Sequence, residues 1–290
     1  MRIIIIIAYF GKKIDTYHLK KTIIQNPEVD FLICSDHENP ELSELKNIIT
    51  IKRSFSWFLS KLKYSPNPRL LPYKTCDFQP YFHNIFREYI ENYDYWGHID
   101  HDTIFLQKIH RFIVDNYDYQ EIVKIGLKGH FTLYNTKKFD AIIRDIEDLD
   151  GWNTYKNAAK QTINLGHDEN AGINNIFRKH GYVLHEVPHV DILPLSSHKA
   201  FVERKNSKYV KNSGLSNIGD NILYAHFQKQ PLKNFIYTNG SIVTVNNQKI
   251  LKYTYARELL YKFNLFRNSF DYKLERLKHH MVKNEKSSFK

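Results

Sequence analysis

Ile3-Ile4-Ile5-Ile6-Ile7-Ala8-Tyr9-Phe10-Gly11 decides how the rest of the chain is read. Five consecutive β-branched side chains favour extended backbone, and without apolar–polar alternation neither face of the strand is meant for water. Ile3–Phe10 is therefore expected as a buried, central strand. The run ends at Phe10, with Gly11-Lys12-Lys13 behind it and no small-residue cleavage site. That is too short for a secretory signal or a bilayer span. No other stretch approaches about 18 apolar residues, so no membrane-crossing helix is expected.

Working outward, strand and helix signals alternate. A helix is expected over Thr16–Gln25 and a second strand over Asp30–Cys34. That strand ends at the polar break Ser35-Asp36-His37-Glu38-Asn39-Pro40, and a short third strand, Asn47–Ile51, follows. Repeated strand–helix–strand units predict an α/β fold: a mixed, mostly parallel sheet flanked by helices. Pro66, Pro68 and Pro72 impose an extended loop. Phe82, Ile85, Phe86, Tyr89 and Ile90 recur at helical spacing within Asp77–Asn92. Tyr93 to Asp102 reads as a strand running into a polar loop. Strands around Glu121–Ile125 and His130–Tyr134 precede a helix from Thr136 to about Asp148. A loop containing Gly151-Trp152-Asn153, a helix starting at Asp168, and short strands and loops from Tyr182 to about Val245 complete the pass.

The 290 residues are 42% hydrophobic and 14% aromatic, enough apolar material to exclude intrinsic disorder. The length suits one large domain or two modest ones. Forty-two Lys+Arg against 31 Asp+Glu leave a charge of +11, which favours an anionic partner such as nucleic acid, a phosphorylated ligand or an acidic membrane. Two cysteines, Cys34 and Cys76, give neither a disulfide framework nor a Cys-based zinc site. They are expected as buried thiols in a reducing, cytoplasmic setting.

Asp100-His101-Asp102 is the sharpest chemical signal. Two carboxylates one residue apart, at the end of a strand, can both reach Mg²⁺ or Mn²⁺ and leave positions for substrate phosphates. Ligands in open α/β sheets bind beyond the carboxyl ends of strands, which is where this tripeptide falls. His226, in Tyr224-Ala225-His226-Phe227-Gln228-Lys229-Gln230-Pro231, reads either as a packed aromatic neighbour or as a third metal ligand, with Lys229 near a phosphate. In Gly166-His167-Asp168-Glu169-Asn170 the acids either cap a helix and complement its dipole, or place a carboxylate beside a sugar as acceptor or base. Gly129-His130-Phe131-Thr132 is a turn into a strand or part of a binding loop. Lys74 and Asp77, in Tyr73-Lys74-Thr75-Cys76-Asp77, form a surface ion pair or meet a ligand. Ala8-Tyr9-Phe10-Gly11 either packs or stacks a nucleobase that its glycine lets approach.

Taken in order, these elements resemble a family of bacterial glycosyltransferases encoded among capsule and surface-polysaccharide genes. The motifs that carry the likeness are Ala8–Gly11, Pro72–Pro80, Trp96–Asp102, Gly129–Tyr134 and His226-Phe227. It covers roughly residues 2–235. The resemblance implies a GT-A-like domain over 1–250, with a nucleotide-binding part at about 1–125 and an acceptor part at about 126–250. It also implies transfer of a sugar from a nucleotide donor, a UDP-sugar being favoured. Asp100 and Asp102 then resemble the D-x-D motif that holds Mn²⁺ or Mg²⁺ against a diphosphate. His226, with Lys229 and Pro231, is similar to the His-x-x-Gly-x-x-Lys-Pro-Trp element of glycogenin-like retaining transferases, in which the histidine binds metal and the lysine phosphate. The glycine is missing, Lys229 comes early, and Lys233 competes with it. Asp168 and Glu169 look like the acidic pair that contacts the donor sugar. Ala8, Tyr9, Phe10, Gly11, Asp36, Lys74, Asp77 and His130 fall where such enzymes hold the nucleotide or the donor. The His226 element favours retention over inversion.

The last stretch differs. Leu259, Phe263, Phe266, Phe270, Leu274, Leu277 and Met281 recur every three or four residues, one stripe of a helix. Ten Lys/Arg against four Asp/Glu between Lys252 and Lys290 give this tail +6 of the +11. A basic amphipathic tail over 251–290 suits an anionic membrane surface, with the helix packing on the main domain as the other reading. The expectation is a cytoplasmic protein, peripheral on the inner face of the membrane, whose partners are a nucleotide-sugar donor and a saccharide acceptor, lipid-linked in such pathways. A metal-dependent phosphoesterase using His98, Asp100, His101 and Asp102 would want a second His/Asp cluster. A nucleic-acid binder would explain the charge, but no helix-turn-helix, zinc-finger or RNP-like motif is present. A sugar-nucleotide binder without activity would not need both acids.

Overall fold

The computed structural model describes residues 1–147, 155–169, 172–193, 201–205, 208–212, 222–227, 235–238 and 241–244. The expected tail at 251–290, the loop at Gly151 and Lys229 lie outside the described residues.

The isoleucine run forms β1 (Ile3–Tyr9). It lies in a six-stranded sheet with β2 (Val29–Ser35), β3 (Ile48–Lys52), β4 (Tyr95–Ile99), β6 (Lys124–Lys128) and β7 (Phe131–Asn135), in the order β3-β2-β1-β4-β7-β6. β1 is parallel to β2 and β4, and β2 to β3; β4 and β6 both pair antiparallel with β7. The sheet is mixed and mostly parallel, as its alternating signals predict. Ile4 and Ile6 face one apolar cluster with Phe58, Phe78 and Tyr81, while Ile3, Ile5 and Ile7 face another with Leu19, Ile23 and Phe112. Full burial of each isoleucine is worth about 1.5–3 kcal/mol, which accounts for the lack of any polar residue in the run.

A second sheet has the order β10-β9-β8-β11-β5, built from β5 (Thr103–Phe105), β8 (His189–Leu193), β9 (Phe201–Lys205), β10 (Lys208–Asn212) and β11 (Tyr224–His226). Three residues, Asp100-His101-Asp102, carry the chain from β4 in the first sheet to β5 in the second. The turn closes with Thr103 N–H donating to the Asp100 carbonyl at 3.1 Å.

Two expected helices are corrected. The helix expected from Asp77 is a 3₁₀ segment, Pro72–Tyr81, followed by the short helices Phe82–Ile85 and Arg87–Ile90. Pro80 lacks the N–H an α-helix needs there and its ring crowds the preceding turn. The helix expected from Asp168 begins instead at Ile173 and runs to Lys179, with Gly172 at its N-cap. Asp168 lies in a turn ahead of this helix and is not its N-cap. Cys34 is buried and Cys76 partly buried, both free. Among the described residues no helix is long and apolar enough to cross a membrane.

Candidate functional site

The crossing between the two sheets builds the site. β11 pairs antiparallel with β5 so that His226 lies opposite Thr103, and Phe227 N–H donates to the Asp102 carbonyl at 2.9 Å. This register brings a histidine distant in sequence against the turn. His226 Nε2 lies 3.5 Å from Asp102 Oδ1 and 3.7 Å from Asp100 Oδ2. One ligand atom from each of Asp100, Asp102 and His226 falls within 4.8 Å of the others, so the three can hold a divalent ion. Two hard carboxylate oxygens and one imidazole suit Mn²⁺ or Mg²⁺ and leave coordination positions for other oxygens.

The electrostatics fit a cation. Burial, then the charge of Asp102, raises Asp100 to about 7. Burial also opposes ionisation of Asp102, but the hydrogen bond and charge of His226, with His101, outweigh it and hold Asp102 low. Adjacent acids with divergent affinities for protons share a strained charge that a bound cation relieves. His130 supports the arrangement from behind. Its ring stacks on that of His226 at 4.1 Å and 19°. Tyr224 Oη lies 2.9 Å from His130 Nδ1, and the His130 carbonyl accepts from Asp100 N–H at 3.2 Å. Burial first, then the nearby His226 and His189, keeps His130 neutral by driving it well below the usual histidine range.

Beside this cluster lies an acidic pair, Asp168 buried and Glu169 partly buried. Asp168, 6% exposed, sits in the turn 167–169. Burial, then Glu169, Asp77 and Asp100, pushes its carboxyl well above the usual range. Glu169 Oε1 accepts from Gly129 N–H at 3.1 Å. Gly129 has room for nothing larger: a Cβ there would lie 1.8 Å from Asp168 Oδ2.

Lys74 and Asp77 correct the expected surface pair. Their side chains are 2% and 0% exposed and bonded to each other. Lys74 also donates to the Ile163 carbonyl. Asp77 accepts from Leu165 N–H at 2.8 Å and His167 N–H at 3.1 Å. The pair thus clamps the 3₁₀ segment to the turn carrying Asp168 and Glu169. Its charges are satisfied inside the protein. His167 is held further by Tyr81, whose hydroxyl meets its Nε2 at 2.7 Å while Tyr155 stacks on the Tyr81 ring.

At the end of β1 the aromatics divide, because neighbouring strand residues face opposite sides. Phe10 is core, packed on Phe55 and Phe58. This corrects its expected place against a nucleobase. Tyr9, partly exposed, has its ring 4.1 Å from that of His101 in the metal-site turn. Ala8 is partly buried against the core. Gly11, at φ 83°, donates its N–H to Asp36 Oδ2 at 2.8 Å, so Asp36 ties the ends of β1 and β2 together.

Two residues of the site escape the sequence reading. Gln79 Nε2 donates to Asp100 Oδ1 at 3.0 Å; its only signal was membership of the Pro72–Pro80 stretch. Lys124, fully buried on β6, bonds the Gly126 carbonyl and Asn174 Oδ1. Burial lowers it to about 7 against the pull of Asp168 and Glu169. No pattern in the apolar run around it marks that lysine as internal.

Residues 5–287 match the sequence model described as "Family of unknown function (DUF6625)". No curated protein matches the chain. Among solved structures, one similar chain is a glycosyltransferase involved in the glycosylation of the major capsid of PBCV-1. Its TM-score is 0.40 at 9% identity, over 80% of this chain and 95% of that one. Another is the galactosyltransferase LgtC in complex with donor and acceptor sugar analogs, at TM-score 0.39 and 10% identity, over 87% and 94%. A third is mouse xyloside xylosyltransferase 1, at TM-score 0.38 and 9% identity, over 67% and 88%.

Proposed function

Because the chain belongs to the family of unknown function DUF6625, whose description carries no activity, we propose its function from its site. It is a metal-dependent glycosyltransferase of GT-A type that moves a sugar from a nucleotide donor, a UDP-sugar by preference, to a saccharide acceptor. The observation that carries this reading is the convergence of Asp100, Asp102 and His226 at the carboxyl end of β4, the crevice where open α/β sheets bind ligands.

Asp100, Asp102 and His226 hold the divalent ion, which when bound supplies positive charge where the departing diphosphate accumulates negative charge. Tyr9 offers a ring face to the base, and Asp36 fixes the loop beside it. Asp168 and Glu169 receive hydroxyls of the donor sugar. His130 keeps His226 oriented, and the Lys74–Asp77 clamp holds the acidic turn. The His226 element favours retention, in which the acceptor hydroxyl gives its proton to the leaving phosphate and no separate protein base is required. Lys229 is assigned to the phosphate on its sequence position alone. A phosphoesterase bridging two metals would need a second ligand cluster, and the described residues hold one.

The acceptor is a lipid-linked saccharide of bacterial surface polysaccharide synthesis, met at the cytoplasmic face of the membrane. The basic residues of 251–290 favour anionic lipid, each contributing about 1 kcal/mol near the surface. A panel of UDP-, GDP-, CMP- and dTDP-sugars with Mn²⁺ tests the activity. Metal-dependent release of the nucleotide from one of them, lost in Asp102→Asn, is expected. Equal release by the variant, or none from any donor, would refute the assignment.

A further inference from the structure

Gln79 stands between the two halves of the site with one end occupied and the other open. It is 5% exposed, on a 3₁₀ segment whose backbone is fixed by the Lys74–Asp77 clamp. As a metal ligand Asp100 is ionised and only accepts hydrogen bonds, so the end of the amide that meets its Oδ1 at 3.0 Å is the Nε2 donor. That orientation aims Oε1 the other way, where it is buried and has no hydrogen-bond partner among the described residues. It points towards Gly129. A Cβ on that glycine would lie 3.6 Å from Gln79 Oε1 and 1.8 Å from Asp168 Oδ2, so both oxygens converge on one backbone face with no side chain of its own. Glu169 Oε1 binds the N–H of the same glycine at 3.1 Å.

A buried acceptor left unsatisfied is costly, and a ligand or water that completes it removes the cost. The groups gathered here are an amide oxygen and two carboxyls, next to a metal-ligating carboxylate. They are complementary to neutral hydroxyl donors, not to a phosphate, which such oxygens would repel. We propose that Gln79 is a sugar-recognition residue: Oε1 accepts a hydrogen bond from a ring hydroxyl of the donor sugar while Nε2 steadies Asp100. This rests on the glycosyltransferase reading above. It deepens that reading by requiring a donor whose ring presents a free hydroxyl at this position, so that a deoxy sugar there is excluded. It also couples the sugar to the metal through one side chain.

Titration calorimetry on the full-length chain with Mn²⁺ tests the proposal. Each of UDP, GDP, CMP and dTDP is titrated first, and the nucleotide that binds is then compared with its glucose and galactose conjugates. The readout is the ratio of Kd for the sugar nucleotide to Kd for the bare nucleotide. Gln79→Met, similar in volume and without an acceptor oxygen, is expected to raise this ratio about tenfold or more; its lost Nε2 support of Asp100 weakens bare nucleotide and sugar nucleotide alike and cancels in the ratio. A ratio equal to that of the unaltered chain would overturn the role of Gln79, because the residue then acts only through Asp100. Should the variant not fold, monodeoxy analogues of the sugar nucleotide are titrated into the unaltered chain. One of them is expected to bind about tenfold more weakly than its parent, and equal binding by all would overturn the proposal. Failure of every nucleotide to bind the unaltered chain would overturn the glycosyltransferase reading itself, an outcome separate from an unchanged ratio.

Discussion

Replacing Asp77 with asparagine should damage the protein far more than an ordinary surface change. The carboxylate is fully buried and carries three partners: the Lys74 ammonium and the N–H groups of Leu165 and His167. Asparagine with its oxygen in the Oδ2 place still accepts from Lys74 and Leu165 N–H, but it turns an amide NH₂ towards His167 N–H and leaves the ammonium of Lys74, 2% exposed, without its counter-charge. Removing one member of a buried ion pair costs about 3–5 kcal/mol, because the other charge stays desolvated. Against a total stability of about 5–15 kcal/mol for a domain, that is a large share. The melting temperature should fall by roughly 10 °C, at about 2–4 °C per kcal/mol. Urea unfolding followed by tryptophan fluorescence measures the loss, and the m-value should stay constant. The double variant Lys74→Met/Asp77→Leu should recover part of it, since no lone charge remains. A loss below about 1 kcal/mol for Asp77→Asn would refute the clamp. So would a double variant less stable than Asp77→Asn.

Gly129→Ala places a Cβ 1.8 Å from Asp168 Oδ2, so the Asp168 carboxyl must shift; sugar transfer should drop about 100-fold while Mn²⁺ affinity, measured by paramagnetic resonance, changes little. Lys124 is held near 7 by burial, below its unfolded value. Between about pH 7 and 10 the unfolded chain therefore binds the extra proton, and stability rises with pH by up to about 1.4 kcal/mol per unit. Lys124→Met should remove that slope in urea titrations across the window, with no slope from this group below pH 7. Removal of residues 255–290 should abolish pelleting with vesicles rich in phosphatidylglycerol; equal pelleting with and without them would contradict the proposed membrane contact.

Much of the fold is legible because its strongest signals are local. The run Ile3–Ile7 has one low-energy use, a strand covered on both faces, and the structure places it in the middle of the sheet. Asp100 and Asp102 are legible for the same reason, one turn at a strand's end. His226 is different. Its type and neighbours hint at a ligand, but only the pairing of β11 with β5 sets it beside Asp102, and no local pattern encodes that register. The Lys74–Asp77 pair shows its spacing in the sequence and hides its burial, which depends on the backbone N–H groups of Leu165 and His167. Gln79 gives still less: an amide is common on surfaces, and its meaning comes from Asp100 on one side and Gly129 on the other. Asp168 was misplaced because an acid before an apolar run imitates an N-cap, whereas the helix waits for Gly172. The division between Tyr9 and Phe10 follows from strand alternation and was within reach of the sequence.

The central claim is that Asp100, Asp102 and His226 hold one divalent ion against the diphosphate of a sugar nucleotide. Crystals grown with Mn²⁺ and a UDP-sugar, measured at a wavelength where manganese scatters anomalously, test it most directly. The account predicts one anomalous peak about 2.0–2.6 Å from a carboxylate oxygen of each aspartate and from His226 Nε2, with phosphate oxygens completing the shell. A peak elsewhere, or a nucleotide bound with no peak among these three residues, would contradict it.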